Sequence, residues 1–265
     1  MRKIALALLA VVFLAALIPE VWVPASYRTQ FRDAPNASPS ARFPLGTDDL
    51  GRDRLSRLVY GTRVSLLLAV AAAFLATMIA AIAGAAAAWL GGWWDRMFLA
   101  ATDLSLALPW LFLLLTVRAM LPLDVAPATS ILVTFTLLGL VGSAGPARVV
   151  RAGARALRSS DFALQSRAAG VTGIRLLVVH LLPNLKPVLV SQFLLSIPLF
   201  ILSEANLGLL GLGVAEPMPS WGNLLRDLES YSAVAANPWM IAPAILLVMV
   251  VIAMQVAVRT QELNA

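Results

Sequence analysis

Long apolar runs separated by short polar segments dominate the pattern of this chain. A helix needs about 20 apolar residues to cross the hydrocarbon core of a bilayer. Six runs are long enough, which predicts an all-α, polytopic membrane protein with both termini on the same side. The predicted spans are Ile4–Val23, Val64–Leu90, Met97–Leu121, Ala128–Ala147, Val188–Gly213 and Trp239–Val258.

Composition agrees with a membrane protein and excludes several kinds of functional site. Of 265 residues, 60% are hydrophobic and 13% are charged, whereas a soluble domain has about 25% charged residues. The net charge of +6 is typical of loops that face lipid headgroups and does not indicate nucleic acid. The absence of cysteine excludes disulfides and thiol chemistry, and a single histidine excludes a His-rich metal site.

The first apolar run has two interpretations. Arg2 and Lys3 before an apolar stretch also open secretory signal peptides. The run is long, however, and no small-x-small cleavage site follows it, so we expect it to stay as the first span. Basic residues are divided almost evenly between the two sides, so charge alone does not orient the chain.

The segment before the second run predicts a short amphipathic helix at the membrane interface. Thr47 or Asp48 can cap its first turn, and Gly61 can bend it into the second span. Three arginines share one face and are expected to reach headgroups or water, because their desolvation is costly. The apolar face has Leu50, Leu55, Leu58 and Val59, and the basic face has Arg52, Arg54 and Arg57. The helix either anchors span two or contacts a receptor or gate.

A polar, arginine-rich insert lies between the fourth and fifth runs, from Arg148 to Asn184. Its order is a basic helix, a break at Ser159 and Ser160, a second short helix and then Gly170, which permits a left-handed exit. Such a helix can be gripped by a soluble protein partner. The alternative is a basic loop that binds anionic lipid.

Glu204 is a carboxylate within the fifth run. Ionisable residues inside a membrane are costly and mark functional positions. It either packs helices together or forms part of a pathway or gate with Asn206 and Pro198, the second of which can kink the span.

Catalytic patterns are missing. There is no GxxxxGK[ST] phosphate loop, and one histidine in a loop offers no credible Ser-His-Asp set. The chain is therefore not expected to be an enzyme or to hold a cofactor or metal of its own.

Four separated segments together resemble one group of proteins. They are FPLGTDDLGRDRLSRLVYGTRVSL from Phe43, GGWWDRMFLAATDLSLALPWLFLLL from Gly91, the insert that ends at Gly170 with HLLPN at His180–Asn184, and SEANLGLLGLGVAEPMPSWGNLL from Ser203. In order and spacing they resemble ABC-importer permeases of the oligopeptide/dipeptide/nickel transport subfamily.

The resemblance implies the type I ABC-importer permease fold, with six helices and a cytoplasmic coupling helix between spans four and five. Residues 1–63 would hold the first transmembrane helix, the outer loop and the amphipathic interfacial helix, which we call the elbow. Residues 64–265 would form the permease core domain, with five transmembrane helices and the coupling loop 148–186. Both termini would be cytoplasmic, in a bacterial inner membrane. The elbow residues would be Gly46, Thr47, Asp48, Gly51, Arg52 and Asp53.

ATPase coupling would rest on the insert and its exit. The implied residues are Asp161, Phe162, Leu164, Gln165, Ser166, Gly170, His180, Pro183 and Asn184. One departure is that the family's Glu-Ala-Ala positions are occupied here by Leu164, Gln165 and Ser166, so the acidic group is missing. The chain could dock its motor differently or more weakly, or pair with a second permease that keeps the motif.

The implied partners are a second permease subunit, identical or homologous, two ATP-binding subunits that hold ATP and Mg, an extracytoplasmic solute-binding protein and membrane lipid. The solute would be a peptide, nickel or a related small molecule. An autonomous carrier or channel is the alternative, although Glu204 has no counterpart in the first half, as an inverted repeat would require. A non-transport assembly protein on the same scaffold is a third possibility.

Overall fold

The computed structural model describes residues 2–23, 25–120, 126–169, 171, 175–176, 179 and 182–262. Within these residues the chain is helical and contains no strand beyond isolated bridges such as Gln30 with Arg52. The α-helices are α1 (Arg2–Leu17), α2 (Pro19–Trp22), α3 (Arg54–Leu90), α4 (Gly92–Ala107), α5 (Trp110–Ala119), α6 (Pro127–Val141), α7 (Ala144–Arg158), α8 (Asp161–Ala168), α9 (Leu182–Asn184), α10 (Lys186–Leu209), α11 (Trp221–Arg226), α12 (Tyr231–Ala236) and α13 (Ala242–Glu262). Short 3-10 helices cover Asp227–Glu229 and Pro238–Ile241.

Helix lengths support part of the predicted span count. In the described part of the chain, four stretches are long and apolar enough to cross a membrane: Arg54–Leu90, Pro127–Arg158, Lys186–Leu209 and Pro238–Val258. Helices α4 and α5 would add a fifth if the pair is one broken span. Helix α1 has only 16 residues, so six spans stay a prediction.

The third predicted span is not continuous. Helices α4 and α5 meet at an angle of 82°, and Leu108 between them has extended backbone angles. The cause is Pro109, because a proline disfavours the helical conformation in the residue before it.

The predicted elbow helix is wrong as a separate element. Helix α3 starts at Arg54 and runs without a break through Gly61. Gly61 serves close packing instead of a bend: a Cβ there would lie 3.2 Å from Leu224 Cδ1.

The described chain forms two compact units. The first comprises Met1–Val70, Arg118–Phe135 and Pro198–Ala265, and in it α1 packs against α13. The second comprises Ala71–Val117 and Thr136–Ile197, and in it α4 packs against α7. The predicted functional division at residue 63 stays a prediction.

Small residues build the core of the second unit. Its central cluster is Ala80, Ala88, Ala147, Val150, Ala154 and Leu185. Gly84 lets α3 approach α7 closely, since a Cβ there would lie 3.0 Å from the backbone nitrogen of Arg151. In lipid, where apolar surface drives little helix association, such close backbone packing holds helices together.

Candidate functional site

The carboxylate of Glu204 lies in the interior of the first unit. Its side chain is 0% exposed. The Ser65 hydroxyl donates to Glu204 Oε2 at 3.0 Å and accepts a hydrogen bond from the Trp221 backbone N–H, also at 3.0 Å. Ser65 therefore joins three helices, α3, α10 and α11, through one hydroxyl group.

The short helix α11 is fixed at its first turn. Ser220 caps it by accepting from the Asn223 N–H at 3.3 Å. The buried Trp221 indole donates from Nε1 to Thr62 Oγ1 at 3.0 Å. The Asn223 side-chain amide donates to the Val214 carbonyl at 2.8 Å. The SWGN run thus positions the loop before α11 as well as the helix itself.

Glycines allow α10 and α11 to meet backbone to backbone. A Cβ on Gly222 would lie 2.8 Å from Gly208 Cα and 2.9 Å from Glu204 Oε1. A Cβ on Gly213 would lie 2.7 Å from the same Gly208 Cα. Since real Cβ atoms do not approach other atoms this closely, the glycine pattern and the buried Glu204 belong to one packing arrangement.

The other two gate candidates differ from Glu204. Asn206 is exposed, and Pro198 is buried inside α10, which continues through it. The three residues do not meet in one pocket.

Two of the three arginines of the predicted elbow, Arg52 and Arg57, are paired with carboxylates and mostly buried, which corrects the expectation that they reach headgroups or water. The Arg57 side chain is only 2% exposed, and its Nη2 lies 2.9 Å from Glu216 Oε1. Arg52 pairs with Asp48 at 2.6 Å and with Glu216 at 2.9 Å. Two carboxylates compensate the desolvation that made burial unfavourable for the arginines alone.

The pKa of the Glu216 carboxyl group is set by burial and by the neighbouring arginines. Burial alone raises the pKa of its carboxyl group, but the hydrogen bond from Arg57 and the charges of Arg57 and Arg52 outweigh it and hold that pKa below its usual range.

The start of α3 also differs from the sequence prediction. Asp53 is the capping residue, because its Oδ2 accepts the Ser56 N–H at 2.8 Å. Asp48 instead accepts from the Arg52 N–H at 2.7 Å. Thr47 accepts from the Ala37 N–H at 2.8 Å, so it pins the preceding loop.

Gly46 and Gly51 have left-handed φ angles of 68° and 73°. A Cβ on Gly51 would also lie 2.8 Å from the carbonyl carbon of Phe31. These two elbow positions therefore require glycine for both backbone angle and space.

In the second unit, the basic helix α7 binds its own chain. Arg151 forms two hydrogen bonds of 2.5 Å with Asp95, and Arg148 pairs with Asp103. Arg158 Nη1 donates to the carbonyls of Ala88 and Trp89 at 2.8 and 2.9 Å. Much of the basic charge in the insert is thus used to attach α7 to the end of α3 and to α4.

Helix α8 presents part of the predicted coupling set. It follows the break at Ser159 and Ser160 and begins at Asp161. Ala163 is fully buried, whereas Leu164 is 52% exposed, and Gln165 is also exposed. Leu164 and Gln165 are therefore accessible to a partner.

The remaining predicted coupling residues are only partly described. Ser166 is half-buried, and Pro183 and Asn184 are exposed in α9. Gly170 and His180 lie outside the described residues, and of Phe162 only the helical backbone is described. In the described part of the chain, no group of three or more His, Asp or Glu side chains could hold a metal ion.

Sequence reasoning missed Ser65, Thr62 and the contact between Gly208 and Gly222. Nothing local marks Ser65 or Thr62 in an apolar helix. The sequence shows the glycines of LGLLGLG and SWGN, but it does not show that α11 packs against α10 and brings them into contact.

Comparison with known proteins places these features in a family. Residues 76–262 match the family described as binding-protein-dependent transport system inner membrane component. The di/tripeptide transport system permease protein DppC of Pseudomonas aeruginosa is 35% identical, over 84% of this chain and 74% of its own length. The oligopeptide transport system permease protein OppC of Bacillus subtilis is 30% identical, over 90% and 76%.

The dipeptide transport system permease protein DppC of Bacillus subtilis is 32% identical, over 85% of this chain and 70% of its own length. Members of this family are transport subunits of the inner membrane rather than catalysts, and several helices of this chain are long and apolar enough to cross that membrane. The chain therefore belongs to the inner membrane components of binding-protein-dependent transport systems, as the permease subunit of an ABC importer.

Proposed function

We propose that this permease forms the translocation path for peptides that an extracytoplasmic binding protein delivers. The observation that carries the proposal is the family match over residues 76–262 together with relatives named for di/tripeptide, dipeptide and oligopeptide transport. Nickel or a related small solute is the alternative cargo within the resembled subfamily. The functional unit comprises a second permease, identical or homologous, two ATP-binding subunits that hold ATP and Mg, and the binding protein.

The proposed topology has six spans with both termini in the cytoplasm. Helices α1 and α2 together form the first span, and the bent pair of α4 and α5 forms the third. The loop 148–186 is then cytoplasmic, and 24–60 and 214–237 are outside. Cysteines at Ser159 and Ser232, both exposed, test this with a membrane-impermeant thiol reagent in whole cells. Labelling of Ser232→Cys alone supports the topology, whereas labelling of Ser159→Cys alone contradicts it.

Coupling to the ATPases is proposed to occur at α8. Its exposed Leu164 offers an apolar contact in place of the family's acidic group. Helix α7 precedes it directly and is tied to α4 through Arg151 and Asp95. A push on α8 would therefore be passed through α7 to α4. ATP binding would open the path outward, and hydrolysis in the separate subunits would reset it; cargo moves only if it binds the two states differently.

We assign structural roles to the outer elbow, residues Gly46–Asp53, and to Glu204. Arg52 and Arg57 fix the loop that carries Glu216 to the start of α3. Glu204 holds α3, α10 and α11 together through Ser65. We therefore favour packing over gating for Glu204.

Peptide uptake in a strain that lacks this gene tests the proposal. Radiolabelled di- and tripeptides should accumulate only when the chain is restored, and nickel accumulation should not change. Affinity purification of the tagged chain should recover the ATP-binding subunits and a second permease. Nickel uptake without peptide uptake would contradict the peptide assignment.

A further inference from the structure

A cavity of ≈ 610 Å³ lies within the first unit. Its size falls in the range of about 300–1,000 Å³ that is typical of small-molecule sites. Unlike such sites in general, it is lined by charged groups of both signs. The guanidinium groups are those of Arg54, Arg118 and Arg226, and the carboxylates are those of Asp48, Asp49, Glu216, Asp227 and Glu229.

Some of these charges already have partners. Asp48 and Glu216 pair with Arg52, and Glu216 also pairs with Arg57. No other lining charge forms an ion pair of 4.0 Å or less within the described residues. The cavity thus offers both free cations and free carboxylates, as a zwitterionic solute requires.

Arg118 lies in the last turn of an apolar helix, α5, and its hydrogen-bond partners among the described residues are all neutral. Its Nε donates to the Leu212 carbonyl at 3.0 Å, and its Nη2 donates to Ser130 Oγ at 2.6 Å and to the Gly213 carbonyl at 3.3 Å. These bonds fix the guanidinium group but leave its charge uncompensated. Among the described residues, Nη1 has no acceptor.

A fixed guanidinium group without a carboxylate partner is suited to bind a carboxylate from outside the chain. Its planar donors match the two oxygens of such a group. Ionisable side chains of apolar spans that face a water-filled cavity mark solute or ion pathways in membrane proteins, and Arg118 lines such a cavity. Peptides carry this group at one end and an ammonium group at the other, for which Asp49, Asp227 and Glu229 are available.

We propose that Arg118 binds the terminal carboxylate of the transported peptide in this cavity. The inference rests on the proposed peptide cargo and deepens it by naming the chemical group and the residue that recognises it. In the proposed topology the cavity opens outside, since it is lined from the segments 24–60 and 214–237. The peptide would therefore meet Arg118 when it leaves the binding protein.

The test uses the purified permease complex without its binding protein, so that selection by that protein does not enter. A photoactivatable dipeptide labels the permease chain, and Ala-Ala or Ala-Ala-amide competes. We expect Ala-Ala to compete about ten- to hundredfold better in the wild type, the range expected for hydrogen bonds to a charged group. In Arg118→Gln the two competitors should become equal, whereas the matched Arg63→Gln variant should keep the preference.

Structural damage has a different signature, because it weakens both competitors alike. Arg118→Lys keeps the charge and should retain a reduced preference for Ala-Ala over Ala-Ala-amide. If Arg118→Gln does not assemble, this reduced preference is the test of the assignment. Equal competition in the wild type, an unchanged preference in Arg118→Gln, or failure to label the wild-type chain would overturn the assignment. Peptide uptake by the wild-type system is measured separately: uptake with no Arg118 effect refutes only this inference, and no uptake refutes the proposed function.

Discussion

Gly208 and Gly222 lie in direct backbone contact, so that a Cβ added to Gly222 would come within 2.8 Å of Gly208 Cα. The same added atom would approach Glu204 Oε1 at 2.9 Å. One close approach therefore brings the end of α10, the start of α11 and a buried carboxylate together. It explains why glycines follow Glu204 at intervals along LGLLGLG.

We predict that Gly222→Ala destabilises the permease by about 1–3 kcal/mol, the usual cost of overpacking a tight contact. The atoms that must move are backbone atoms, which cannot rotate away as a flexible side chain would. Thermal unfolding of the purified protein in detergent measures the effect. Gly145→Ala is the control, since a Cβ there meets nothing within 4 Å. Equal melting temperatures for the two variants would contradict the close contact.

A second prediction concerns the hydroxyl of Ser65. Ser65→Ala removes the donor to Glu204 and leaves the Trp221 N–H without its acceptor. Each buried polar group left unpaired costs about 1–3 kcal/mol, so we expect a loss of about 2–4 kcal/mol in the free energy of unfolding.

Ser105→Ala is the matched control for Ser65→Ala. Ser105 is exposed, and its hydroxyl donates only to the Ala101 carbonyl of its own helix. Its replacement should change the free energy of unfolding by no more than about 0.5 kcal/mol. A Ser65→Ala protein that unfolds like Ser105→Ala would show that Glu204 does not depend on this link.

The sequence predicted the long apolar helices well, because apolar length follows directly from the residues. It failed where the partner is distant along the chain. Arg57 looks like a headgroup contact on a basic helix face, but Glu216, which neutralises it, lies 159 positions away. Similarly, the sequence predicts Thr47 or Asp48 as the cap of the helix, but Asp48 pairs with Arg52 and Asp53 caps α3 instead.

A third prediction follows from that buried arginine. Arg57→Gln leaves Asp48 and Glu216 with less positive charge and should destabilise the protein by about 2–3 kcal/mol. This is below the usual cost of breaking a fully buried ion pair because Glu216 is 51% exposed. Thermal unfolding in detergent measures the change.

Arg63→Gln is the comparison for Arg57→Gln, on the same helix. Arg63 pairs with Glu20 at 3.4 Å, and the two side chains are 41% and 60% exposed. An exposed pair contributes at most about 1 kcal/mol. If Arg63→Gln is as damaging as Arg57→Gln, the inward orientation of Arg57 has no energetic consequence.

The last prediction concerns the coupling insert. Leu164 occupies the position where the resembled family has an acidic residue, and it is 52% exposed on α8. Leu164→Glu adds a carboxylate without disturbing the buried Ala163. It should therefore bind the ATP-binding subunits at least as well as the wild type, provided that their groove keeps a basic or donor partner. Leu164→Ala serves as the control for loss of the apolar side chain.

Gly170→Val should act in the opposite direction. Gly170 lies outside the described residues, so the expectation rests on its place at the exit of the insert. A side chain there costs about 1–2 kcal/mol if the backbone is left-handed, and a valine also obstructs a docked partner. ATPase activity of the reconstituted complex, with and without loaded binding protein, should lose its stimulation, and pull-down should recover less ATPase, while the chain stays in the membrane. Wild-type stimulation and recovery in Gly170→Val would mean that this insert does not transmit the ATPase motion.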